Sequence, residues 1–167
     1  MESTGTQYID TGVSARRNLL VSCMFRFVDV GYSSYANHNC TVFGAVRGRS
    51  RFVIGMSYSR GEENGPYIGF ACCGAYGSTS SYVGREIHAD TDKWHVATLD
   101  STEGSGAGRF VFDGASYSVT ALSSLDTYSI PIIIFGEGNG SSVDGISKCM
   151  ISSMSIVDVS SGRHYVI

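Results

Sequence analysis

Apolar and polar residues alternate along most of this chain with the period of a β-strand. Over residues 18–27, Leu19, Val21, Cys23, Phe25 and Phe27 share one face. Leu20, Ser22, Met24 and Arg26 share the other, which is half polar. The pattern returns over 40–46 and 51–58, and the turn residues Arg47-Gly48-Arg49-Ser50 between them predict a hairpin. Further strands are predicted over 67–72, 94–100, 108–112 and 116–119. Asp113-Gly114 joins the last two, and this pair marks a tight hairpin because both residues tolerate positive φ. Residues 130–135 are almost wholly apolar, which predicts a central strand buried on both faces. Pro131 is tolerable near its start. Residues 150–159 alternate and close the chain. At the other end, Tyr8 and Ile9 point to opposite faces of a first strand that ends at Thr11-Gly12, with Gly12 supplying a positive φ.

About ten strands follow from these signals. No window carries a helical 3.6-residue period, and only 121–128 has room for a short helical turn. Three stretches read as long loops: 31–39, 59–66 and 74–81. Strands at this spacing predict an all-β fold, a two-sheet antiparallel β-sandwich or jelly roll. No repeat of fixed period is present, against a propeller or solenoid. With 167 residues the chain fits one domain, 1–167, which needs no staple to fold and could be a module of a larger protein.

Composition narrows the function classes. Charged residues make up only 16%, while 21 Gly and 10 Tyr carry turns and surface polarity. The net charge of -3 gives no basis for binding nucleic acid, and the basic run at 47–51 reads as a solvated turn. No stretch of about 18 apolar residues predicts membrane insertion. The first residues lack a basic-then-apolar signal pattern. The five cysteines (Cys23, Cys40, Cys72, Cys73 and Cys149) show no CxxC spacing, and an odd number leaves at least one thiol unpaired. This favours assembly in a reducing compartment, and later export is compatible with it.

Catalytic patterns do not form. Jelly-roll glucanases place carboxylates at alternate positions of one strand, and no such run occurs. Glu62-Glu63 are adjacent in a loop, Glu86 and Asp90 are separated by Ile87, His88 and Ala89, and Glu137 stands in a Gly-rich turn. There is no Gly-x-Ser-x-Gly elbow and no HExxH or HxH spacing. The Gly-rich run 104–108 lies between strands, so it reads as a flexible turn and not as a phosphate cradle.

Three stretches resemble a known family. The opening Glu2-Ser3-Thr4-Gly5-Thr6-Gln7-Tyr8-Ile9-Asp10-Thr11-Gly12 resembles the start of concanavalin A-like, laminin-G-like jelly-roll domains of gut-bacterial surface proteins and their phages. Trp94-His95-Val96-Ala97 with Phe112-Asp113-Gly114 looks like the central pattern of laminin-G and pentraxin domains. Ile134-Phe135-Gly136, Asp144-Gly145 and 151–158 look like their closing strands. The likeness spans about residues 2 to 167. His164-Tyr165-Val166-Ile167 departs from the usual ending, and Ser152 stands where an aromatic is common. The resemblance implies a laminin-G-like sandwich with Trp94 in the core between the sheets. An alternative role for Trp94 is a sugar-stacking platform. His95 is then expected on the opposite side, towards solvent or the partner sheet. Relatives often hold calcium at the sandwich rim, which makes Asp144 with Asn139 a candidate calcium site and Asp90 with Asp92 a second.

What remains is recognition. Tyr32, Tyr35, Asn37 and His38 form one aromatic, amide-rich segment, and Tyr76 to Tyr82 a second. Tyr among small polar residues is the composition of adaptable contact surfaces, although such Tyr also cover sandwich edges. The expected function is a non-catalytic binding or adhesion module recognising a glycan or cell-surface polysaccharide, on a phage virion or a secreted bacterial surface protein. The alternative is an assembly module of decoration or tail type that contacts neighbouring structural subunits. A glycoside hydrolase is the third reading.

Overall fold

The alternating segments pair into two sheets that share one apolar core. The structure, a computed structural model, describes residues 1–3, 6–27, 40–47, 50–57, 67–75, 82–83, 87, 93–102, 107–120, 129–144 and 149–167. Its strands are β1 (Ile9–Ser14), β2 (Leu19–Phe27), β3 (Cys40–Arg47), β4 (Ser50–Ser57), β5 (Tyr67–Ala75), β6 (Tyr82–Val83) and β7 (His95–Asp100). They continue with β8 (Ala107–Phe112), β9 (Ala115–Thr120), β10 (Pro131–Ile134), β11 (Glu137–Gly138), β12 (Val143–Asp144), β13 (Cys149–Asp158) and β14 (Arg163–Val166). No described residue is helical, so no helix here could cross a membrane.

The six-stranded sheet runs β14-β13-β2-β7-β8-β9, antiparallel throughout. Its inner face comes from the predicted alternation: Leu19, Val21, Cys23 and Phe25 of β2, with Ala97 and Leu99 of β7, are all buried. In β13 the alternation breaks. A register shift between Ile151 and Ser153 marks a bulge. Cys149 and Ile151 point inward before it, and Met154 and Ile156 after it. Exposed Ser152 sits at this bulge, where the resemblance led one to expect an aromatic. Asp113 (φ 47) and Gly114 (φ 87) form the predicted turn between β8 and β9.

The eight-stranded sheet has the order β1-β10-β3-β4-β5-β6, with the β11–β12 hairpin branching from β3. The β11–β3 pairing is parallel, unlike the other pairings of this sheet. Phe43, Phe52, Ile54, Ile132 and Ile134 close the core from this side. Each such side chain contributes about 1.5–3 kcal/mol by leaving water.

Several expectations change. β10 is not central: it lies one strand in from the edge, between β1 and β3. It is nevertheless covered on both sides, because Ile133 faces away from the core and packs beneath Gly138 of β11. The first strand does not end at Gly12. Gly12 (φ 67) is a bulge inside β1, where Asp10 Oδ1 accepts from its amide at 2.8 Å and the register with β10 shifts. The chain does not close with β13 either, since β14 pairs with it from Ser155↔Val166 to Asp158↔Arg163. The turn proposed at 121–128 lies outside the described residues.

The β13–β14 turn is fastened by Asp158, which is wholly buried. Its carboxylate accepts from the hydroxyls and amides of Ser160 and Ser161 and pairs with Arg16. Burial opposes ionisation, but these hydrogen bonds and the Arg16 charge overcome it and hold the carboxyl well below the usual carboxylate range.

Candidate functional site

Side-chain parity decides which residues of the six-stranded sheet face outward. His95, Ala97 and Leu99 are buried, so Trp94 and Val96 belong to the opposite face. Trp94 is 40% exposed and Val96 52%. This corrects the core placement expected for Trp94, the only tryptophan. Its neighbour His95, expected on the side opposite Trp94 towards solvent or the partner sheet, takes the inner position. The His95 ring stacks on Phe112 at 5.0 Å and lies 6.0 Å from Phe25. Its Nδ1 is 2.7 Å from Asp113 Oδ2, while Asp113 Oδ1 accepts from the Val96 amide at 2.8 Å. The buried imidazole thus has a polar partner and fits where the indole was expected.

On the outer face, pairing assembles a row of four chemically distinct side chains. Met150 of β13 is the register partner of Arg26 in β2. Phe25 pairs with His95, so one step further the antiparallel register sets Arg26 opposite Trp94. On the other side of β13, Glu2 bridges to Met150. The N-terminal backbone is stitched there by bonds between Met1 and Ile151 and by Ser3 N donating to Cys149 O at 2.9 Å. Directly paired residues present their side chains to the same face. The row therefore reads Glu2, Met150, Arg26, Trp94, about 14 Å long for three strand spacings.

The Arg26 guanidinium lies 5.5 Å from the Trp94 ring centroid, a cation–π contact. Its Nη2 donates to Met150 Sδ at 3.3 Å. Its Nε is buried without a hydrogen-bond partner. Beside this row lies a shallow cleft of about 430 Å³ lined by Met1, Glu2, Trp94, Met150, Ile151 and Ser152. That volume is within the range of small-ligand sites. Among the residues lining it, Glu2 is the one carboxylate.

A second, smaller groove of about 200 Å³ lies on the outer face of the other sheet, lined by Tyr8, Asp10, Ile133, Gly138 and the 140–143 turn. The calcium candidate Asn139 lies in that turn. Its Oδ1 already accepts from the Ser141 amide and hydroxyl, both at 2.9 Å, and from the Ser142 amide at 2.8 Å. A cation would have to compete with these three donors. Asp144 pairs through its backbone with Glu137. The described residues contain no group of three or more His, Cys, Asp or Glu placed to share a metal ion.

Tyr32, Tyr35, Asn37, His38 and Tyr76 lie outside the described residues, as do Asp90 and Asp92. Tyr82 lies in β6, where it pairs with Cys72. The row on the six-stranded sheet was not foreseen. Parity was the available signal: Trp94 matches Val96, while Ala97 and Leu99 of opposite parity carry the core pattern.

The two sheets and their shared core can be compared with solved structures. Domains LG4-5 of the mouse laminin alpha1 chain superpose with a TM-score of 0.56 at 17% sequence identity, over 98% of this chain. The fold is laminin-G-like. The chain spans 40% of the length of that laminin fragment. A double-cysteine variant of alginate lyase A1-II' is more distant, with a TM-score of 0.47, 10% identity, and coverage of 89% of this chain and 66% of the lyase. No protein-family model and no curated protein matches the sequence. In this laminin-G-like sandwich the row from Glu2 to Trp94 occupies the solvent side of the six-stranded sheet.

Proposed function

We propose that the chain is a non-catalytic carbohydrate-binding module that stacks a sugar ring on Trp94. The observation that carries this reading is Trp94 itself, turned outward and 40% exposed beside an open cleft. A large exposed indole is an apolar platform with a polar tip, suited to the apolar face of a sugar ring. Glu2 and Ser152, at the same cleft, supply acceptors and a hydroxyl for sugar hydroxyls. Glycoside hydrolysis in its usual form needs two carboxyl groups, and the described cleft presents Glu2 alone. The setting we favour is an adhesive surface protein of a bacterium or a phage virion, as the sequence resemblance implies.

Because Trp94 is the only tryptophan, intrinsic fluorescence reports directly on the site. Titration with cell-surface polysaccharides is expected to change its emission in a saturable way. Trp94→Ala is expected to abolish retention on the same polysaccharides while leaving the melting temperature nearly unchanged. Absence of binding to every polysaccharide, where a folded control lectin binds, would overturn the proposal. A second reading, docking on a neighbouring protein subunit, draws on Val96, which at 52% exposure extends the apolar surface next to Trp94. Binding of a virion or surface protein that is lost in Val96→Ser, without glycan binding, would favour it.

A further inference from the structure

Arg26 is the least satisfied group of the row. A guanidinium carries five N–H donors, and the Nε and Nη2 protons project from one edge as a fork. Here Nη2 meets only the Met150 thioether, a weak acceptor, at 3.3 Å. Nε is buried with no partner. Among the described residues no carboxylate pairs with Arg26. An unfilled buried donor carries a desolvation cost that a bound acceptor would remove. The side chain is held in place all the same, by the Trp94 ring at 5.5 Å and by its position between β13 and β7.

Resting on the carbohydrate reading above, we infer that this site takes an acidic sugar, a glycan bearing ring carboxylates, and that Arg26 receives the carboxylate. The planar carboxylate matches the Nε/Nη2 edge in shape and charge and can take both donors at once. Met150 now occupies that edge. Its unbranched side chain has several rotamers, so a ligand oxygen can displace the sulfur without backbone movement. With the carboxylate on Arg26, the ring lies towards Trp94, the neighbour of Arg26 in the row. The net charge of -3 argues for recognition through this one fork and against diffuse attraction of polyanions. One Arg also suits a single carboxylate better than a sulfate or phosphate cluster, which would draw several cations.

The test uses the whole chain and its Trp94 emission. Polygalacturonate and polyglucuronate are each titrated beside a twin whose carboxyl groups have been reduced to alcohols, with dextran sulfate as a further arm. We expect at least one acidic polymer to bind about tenfold or more tighter than its neutral twin. Arg26→Lys, which keeps the charge and loses the fork, is expected to erase that difference. Equal binding of acid and twin, or binding of neutral glycans alone, overturns the carboxylate inference and leaves the carbohydrate reading standing. Stronger binding of dextran sulfate than of any uronate also overturns it. Retention of acid preference in Arg26→Lys removes Arg26 from the role. Should that variant not fold, the wild-type comparison of acid and twin still decides the ligand class. Binding of no glycan of either kind overturns both readings.

Discussion

His95 and Asp113 join the start of β7 to the β8–β9 turn through a 2.7 Å contact between Nδ1 and Oδ2. The same carboxylate takes the Val96 amide, and the Asp113 amide donates to Val96 O at 2.9 Å. With His95 locked inward, Trp94 has to face outward. Asp113 does this at φ 47, a conformation that Asp tolerates better than Ala. Asp113→Ala is expected to cost about 2–3 kcal/mol, from the lost bonds and the strained backbone together. Asp113→Gly relieves the strain and should cost about 1–2 kcal/mol. Urea denaturation of the two variants separates these contributions. Equal losses would remove the backbone part of the argument.

Acid should act through Asp158. Its pKa is lower in the folded chain than in the unfolded one, so below the ordinary carboxylate range the unfolded state binds more protons. The stabilisation is complete above about pH 4–5 and is lost as the pH falls further towards the folded-state value. Asp158→Asn should start less stable at neutral pH and show a shallower loss on acidification. Melting temperatures of both proteins from pH 7 to pH 2.5 test this, and parallel curves would contradict it.

Gly138 is required by its closeness to Ile133. A Cβ at this position would stand 2.5 Å from Ile133 Cγ1, and Ile133 is buried. Gly138→Ala is expected to destabilise by about 1–3 kcal/mol through forced displacement of the β11–β12 hairpin or of Ile133. Gly138→Ala in an Ile133→Val background leaves the Cγ1 branch in place but removes the outer methyl, giving the hairpin room to shift. It should recover part of the loss, as read by the urea midpoint.

Cys23 and Cys149 are both buried, and burial first, with Cys149 nearby second, pushes the Cys23 thiol far above its ordinary range. The thiolate is the reactive form. Iodoacetamide at pH 8 should leave both residues unmodified in the native protein and label them once urea unfolds it. Peptide mass mapping provides the readout, and rapid native labelling of Cys23 would contradict the buried placement.

The ten strands that the sequence predicts are all present, because each carries its own alternation or turn chemistry. Asp113-Gly114 could be recognised as a turn because two residues with positive φ in succession leave little choice. The four additional strands were illegible for physical reasons. β6, β11 and β12 are two residues long, too short to alternate, and β14 has no buried face to mark it. The core position of Trp94 is what the family resemblance implies, whereas its parity with exposed Val96 places it outside.

The local pattern of the chain by itself determined the all-β class, most strand positions and the inward set of β2, since side-chain direction in a strand follows from period two alone. Only the tertiary structure decided that Glu2, Met150, Arg26 and Trp94 meet. That row depends on the register of strands far apart in sequence and on the bulge at Ile151/Ser153, which lets Met150 face out while Met154 faces in. Register is set by how the faces of both sheets fill a common core, a property that no single segment contains.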